Sequence, residues 1–122
     1  MGLDMYLMKK IPNNEDVELI YWRKANQILR WFKTHCADGE LEDCEPVGVT
    51  EYDLYELLDD IDIVLADHSK AEELLPTTSG FFFGSTEYDE WYFKDLEYTK
   101  EKLREVLCDI MEDDELEFYA WW

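Results

Sequence analysis

No lysine or arginine lies between Lys33 and Lys70. The same stretch carries twelve carboxylates: Asp38, Glu40, Glu42, Asp43, Glu45, Glu51, Asp53, Glu56, Asp59, Asp60, Asp62 and Asp67. Cysteine is also scarce. Cys36, Cys44 and Cys108 are odd in number and form no C-x-x-C pair, which argues against a disulfide framework and for a reduced, cytoplasmic setting. Two histidines, His35 and His68, leave few ways to build a general base. No stretch approaches the ~20 apolar residues of a membrane span, so no membrane association is expected. The start, Met1-Gly2-Leu3-Asp4, lacks the basic and apolar regions of a secretory signal. Tyr6 stands where N-myristoylation requires Ser or Thr.

What the chain has is acid. It carries 31 Asp and Glu against 11 Lys and Arg, a formal net charge of -20 over 122 residues. The charge is uneven: net +2 over residues 1–34, -16 over 35–90 and -6 over 91–122. Such an excess repels itself and destabilises the compact state, so a cationic partner is the simplest reason for it. Acidic chains poor in aromatics stay disordered. This one is 47% hydrophobic and 16% aromatic, enough to fold as a single domain over residues 1–122.

Periodicity predicts an α+β fold, a small antiparallel sheet formed by the terminal strands with three main helices packed on it. Residues 3–8 read as a strand, Pro12-Asn13-Asn14 as a turn, and Val17–Ile20 as a second strand completing a hairpin. From Tyr21 the spacing of Trp22, Ala25, Ile28, Leu29 and Phe32 predicts a helix, with Arg23, Lys24, Arg30 and Lys33 as its basic outer side. Residues 37–49 read as an acidic loop closed by Pro46 and Gly48. Thr50 and Asp53 make a capping box for a helix to about Asp67, with Leu54, Leu57, Leu58, Ile61, Val64 and Leu65 as its stripe. Ser69 is placed to cap a short helix ending before Pro76. Phe81-Phe82-Phe83 reads as a buried strand or tight loop. Ser85 or Thr86 is the expected cap of a last helix carrying Tyr92, Leu96, Leu103, Val106, Leu107 and Ile110, and residues 116–121 form the closing strand.

Three segments, Gly2-Leu3-Asp4-Met5-Tyr6-Leu7, Tyr21-Trp22-Arg23-Lys24-Ala25-Asn26 and the stretch from Gly80 to Tyr92 (GFFFGSTEYDEWY), resemble a family of small phage and prophage proteins without an assigned function. The resemblance covers about a third of the chain and excludes residues 34–72, where the charge sits. It implies a phage accessory protein acting in the host cytoplasm. Proteins of that kind often counter host defence, and many are small and acidic.

The acidic run suggests mimicry of nucleic acid. B-DNA presents one negative charge per about 1.7 Å of axis. A helix with two carboxylates per turn presents one per about 2.7 Å. The expected partner-binding residues are therefore Glu51, Asp53, Glu56, Asp59, Asp60, Asp62 and Asp67, with Glu87, Asp89 and Glu90 beside Tyr88 and Trp91 as a second set. The expected partner is a basic nucleic-acid-handling host protein, such as a CRISPR (Cas) or restriction nuclease. Direct nucleic-acid binding is not expected, because Arg23, Lys24, Arg30 and Lys33 are the one basic patch. The competing readings are a phage structural or regulatory protein whose acidity only confers solubility, and an enzyme centred on residues 80–92.

Catalysis is not expected: Ser85 lacks the G-x-S-x-G elbow, and no lysine follows Gly84 to make a phosphate loop. No metal or other cofactor is expected either. His35, Cys36, Cys44 and His68 have the ligand types of zinc, but the spacing H-C-x7-C is awkward for a tetrahedron. The run Glu112-Asp113-Asp114-Glu115 lacks EF-hand spacing and reads as solvated charge at a helix end. Trp121-Trp122 offers either a core strand or a homodimer edge.

Overall fold

The computed structural model describes residues 2–41, 44–80 and 84–122. Two strands, β1 (Asp4–Lys10) and β2 (Val17–Arg23), form the expected hairpin, and the closing strand β4 (Glu115–Trp121) pairs antiparallel with β1. A short strand β3 (Val47–Val49) joins β4, giving a four-stranded sheet of order β2-β1-β4-β3. Helices α1 (Asn26–Cys36), α2 (Glu51–Ala66), α3 (Ala71–Leu74) and α4 (Glu90–Asp109) complete the α+β fold, with a 3-10 turn over His68–Lys70.

Alternation along the strands decides which face is covered. Met5, Leu7, Ile20, Trp22, Val49, Leu116, Phe118 and Ala120 are buried and face the helices. Phe32 of α1 stacks on Phe118 with ring centroids 4.1 Å apart, and Trp22 meets both rings at 6.1 Å. The Trp22 indole N–H donates to Thr99 Oγ1 of α4 at 2.8 Å, so its one polar atom is satisfied inside the core. On α2 the buried stripe is Leu54, Leu57, Ile61 and Val64; on α4 it is Tyr92, Leu96, Thr99, Leu103 and Val106.

Four local expectations change. The strand β2 runs on to Arg23, so Trp22 serves the sheet and the helix starts only at Asn26. Strand pairing with β1 outweighs the helical spacing there: Met5 opposes Trp22 and Asp4 opposes Arg23. Arg23 and Lys24 consequently leave the basic helix face. Residues 47–49 pair with β4 instead of staying in a loop. Asp67, not Ser69, caps the turn after α2, and Asp89, not Ser85 or Thr86, caps α4 by accepting from the Tyr92 amide at 3.0 Å. The capping box stands as expected: Asp53 N–H donates to Thr50 Oγ1 at 3.1 Å, and Thr50 N–H to Asp53 Oδ2 at 2.9 Å. The expected strand or loop at Phe81-Phe82-Phe83 lies outside the described residues.

Phe118→Ala empties the centre of the aromatic cluster and is expected to cost about 3–5 kcal/mol. Thr50→Ala, which loses one cap, is expected to cost about 1 kcal/mol. Urea unfolding measures both, and equal costs would remove the Phe32–Phe118 stack from its central role.

Candidate functional site

The α2 carboxylates divide into two groups. Asp53 is spent on the capping box. Asp60 Oδ2 accepts the Trp31 indole N–H at 2.9 Å, tying α2 to α1. Asp62 pairs with Lys100 of α4 at 2.8 Å. Asp67 Oδ1 accepts from both the amide and the hydroxyl of Ser69, at 3.1 and 2.6 Å, which holds its carboxyl below the usual range. Glu51, Glu56 and Asp59 are exposed and carry no basic partner among the described residues. In the second set, Asp89 caps α4 and Glu90 pairs with Lys94 at 3.2 Å, while Glu87 stays exposed. Six of the ten expected residues, Asp53, Asp60, Asp62, Asp67, Asp89 and Glu90, therefore already have partners within the chain.

An acidic concavity begins at Glu51. A groove of about 900 Å³ opens between β3, the first turn of α2 and the loop from α4 into β4. Among the described residues, five carboxylates line it, Glu51, Glu112, Asp114, Glu115 and Glu117, and no lysine or arginine does. Two apolar side chains project at it almost fully solvated: Tyr52 is 85% and Met111 75% exposed. Asp114 is held in place by the Met111 amide at 2.7 Å and Lys9 at 3.3 Å, and the amide first of all keeps its carboxyl low. Glu117 has a distant partner in Lys10 at 3.8 Å, and Glu51, Glu112 and Glu115 have none among the described residues. Only Glu51 belongs to the residues expected from sequence. The acidic tract Glu112–Glu115 and the alternation of Glu115 with Glu117 were the available signal; placing them beside Glu51 takes the register of β3 on β4.

A second concavity, of about 310 Å³, lies where the end of β2 and the start of α1 meet the 84–95 stretch. Arg23, Lys24 and Gln27 face Gly84, Ser85, Glu87, Asp89, Trp91, Tyr92 and Asp95 across it. Lys24 sits in the left-handed region at φ 56°, with its amide donating to Leu3 O at 2.7 Å. Gly84, at φ 87°, leaves room for it: a Cβ there would lie 3.2 Å from Lys24 Cβ. Asn26 and Gln27, both buried, bind the far side through Ser85 O at 2.9 Å and Tyr92 O at 3.2 Å. Tyr92, expected on the apolar stripe of the last helix, is buried, and Trp91, expected beside the second acidic set, is 67% exposed under Lys94. Burial pushes the Asp95 carboxyl up to about 6, against a restraining hydrogen bond from Gln27.

The candidate metal ligands are dispersed. His35 stacks on Trp31 at 4.1 Å and its Nδ1 lies 2.9 Å from Trp31 O, while His68 stacks on Phe93 at 3.7 Å. Among the described residues no group of three or more His, Cys, Asp or Glu side chains is arranged to hold a metal ion. Among them, too, no helix is long and apolar enough to cross a membrane. No family model matches the chain, and no characterised protein or solved structure is significantly similar to it.

Two tests follow from this geometry. The folded-state value of Asp95, about 6, exceeds its ordinary 3.8, so its burden on stability is absent below 3.8, grows between the two values and is complete above 6. Asp95→Asn should therefore raise Tm relative to the parent at neutral pH, with the gain vanishing toward pH ~4. A gain that persists in acid would assign the effect to packing. Cys36 is pushed up to about 12 by burial and by Asp53, whereas Cys44 and Cys108 are exposed and none of the three is in a disulfide. A thiol reagent should label Cys44 and Cys108 in the folded chain and Cys36 only on unfolding; equal labelling of all three would contradict this.

Proposed function

We propose that the chain is a binding protein for a basic, nucleic-acid-handling protein, whose phosphate-binding surface it occupies. The observation that carries this is the groove: among the described residues, five carboxylates from two stretches of the chain line it, no lysine or arginine does, and the exposed Tyr52 and Met111 stand beside them. Charge alone gives attraction without fit. The concavity and the apolar side chains supply contact area that a merely solubilising surface does not need. The competing role, acidity for solubility alone, predicts carboxylates spread over exposed surface outside any concavity, as Glu56 and Asp59 are on α2. Inhibition of a host defence nuclease is the setting that the sequence resemblance suggests for such a protein.

Exposed charges act over a Debye length of about 8 Å at physiological salt. The immobilised chain should retain basic proteins from a bacterial lysate at low salt and release them to high salt or to added duplex DNA. Replacing Glu51, Glu112 and Glu115 by Lys should weaken binding to a retained protein at least about tenfold with the fold intact. Replacing Glu56 and Asp59 by Lys should do less. Binding that survives the groove reversals, or that ignores salt, would refute the assignment.

A further inference from the structure

Among the described residues, no helix packs on the face of the sheet turned away from α1, α2 and α4. Register places its side chains in rows across the strands. Tyr21, Tyr6 and Tyr119 form one row, with ring centroids 5.2 and 5.0 Å apart. Arg23, Asp4 and Trp121 lie on one side of it, and Glu18, Met8 and Glu117 on the other. Trp121 is 56% and Tyr21 36% exposed. The Tyr21 hydroxyl donates to Asp4, which fixes the ring at the end of the row.

The exposed aromatics of α4 differ. Lys94 lies 4.7 Å from the Trp91 ring centre and Lys102 5.9 Å from that of Tyr98. Among the described residues, no cation is placed over Trp121, Tyr21, Tyr6 or Tyr119. Aromatic rings and carboxylates at this spacing suit a guanidinium, which stacks on a ring while its edge meets an acid. Ammonium groups stay more strongly hydrated and gain less from stacking.

We propose that the open sheet face receives arginine side chains of the cationic partner, with Trp121 and the tyrosine row as stacking platforms and Asp4, Glu18 and Glu117 as the acidic rim. It rests on the cationic-partner assignment and adds the chemistry of the contact. Charge complementarity selects this occupant over the others. A nucleic acid would bring phosphates against a face on which Asp4, Glu18, Glu115 and Glu117 outnumber Arg23 and Lys10, and a second copy would bring the same acidic excess again on a chain of net charge -20. The groove continues the surface, since Glu115, Glu117 and Gly48 belong to both.

Titration with deca-arginine and deca-lysine separates the two levels, because the peptides have equal charge. The unmodified chain should bind both, with deca-arginine about tenfold tighter, as a few exposed cation–π contacts supply. Trp121→Thr with Tyr21→Thr, at the two most exposed aromatic positions of the face, should equalise the peptides and leave the deca-lysine affinity unchanged. Equal binding of both peptides by the unmodified chain overturns the arginine assignment and leaves the cationic one standing. Binding of neither overturns both. A preference that persists in the double variant puts the arginine site elsewhere and also overturns the proposal. Sedimentation that shows a dimer dissociated by the same substitutions would give the face to a second copy instead.

Discussion

The pairing of β1 with β4 fixes everything else. Its rungs run from Asp4 opposite Trp121 to Lys10 opposite Glu115 and bring the two ends of the chain side by side. That register sends Met5, Leu7, Leu116, Phe118 and Ala120 inward, where Phe118 takes the ring of Phe32 and so seats α1. It sends Tyr6, Tyr119, Glu117 and Trp121 outward. A slip of one residue would exchange the two sets, burying carboxylates and exposing the core, so the register is strongly specified. The groove depends on the same ladder, because β3 reaches Glu51 only by pairing with β4 through Val47, Gly48 and Val49.

A chain with this much negative charge must place it where repulsion is tolerable. Part of it is absorbed by specific partners. Asp53, Asp67 and Asp89 occupy helix or turn beginnings, where backbone N–H groups favour negative charge. Asp60 and Asp62 link α2 to α1 and α4. These carboxylates keep their charge but already serve caps and links between helices. Of the remainder, Glu51, Glu112, Asp114, Glu115 and Glu117 line the groove, and Asp4, Glu18 and Glu117 rim the sheet face beside its aromatic rings. Acid beside aromatic is a more selective surface than acid alone, since it distinguishes a guanidinium from an ammonium.

Much of the fold was legible in the sequence because its signals are local. The capping box at Thr50 and Asp53, the stripes on α2 and α4, and the strand alternation at both ends each depend on neighbours a few residues apart. The misplaced helix start at Tyr21 shows the limit: Trp22 has helical spacing to Ala25 and Ile28, yet pairing with Met5 claims it for the sheet. The three-residue strand Val47–Val49 is too short to show alternation and is made by its partner. The candidate surface was less legible for the same reason. Glu51 and Glu117 are remote in sequence, and the row Tyr21–Tyr6–Tyr119 exists only once three strands are in register. Residues 23–27 meet the 84–95 stretch in a separate cleft, where the side chains of Asn26 and Gln27 hold α1 against it.

The central claim is that cationic segments engage the groove and the open sheet face together. Amide chemical-shift mapping of the unmodified, isotope-labelled chain titrated with deca-arginine tests it most directly. The predicted shifts cluster at Tyr6, Tyr119 and Trp121 and at Glu51, Glu112 and Glu115, and they reverse on adding salt. Shifts confined to the cleft around Lys24 and Asp95, or to the exposed side of α2 at Tyr55, Glu56 and Asp59, would contradict it.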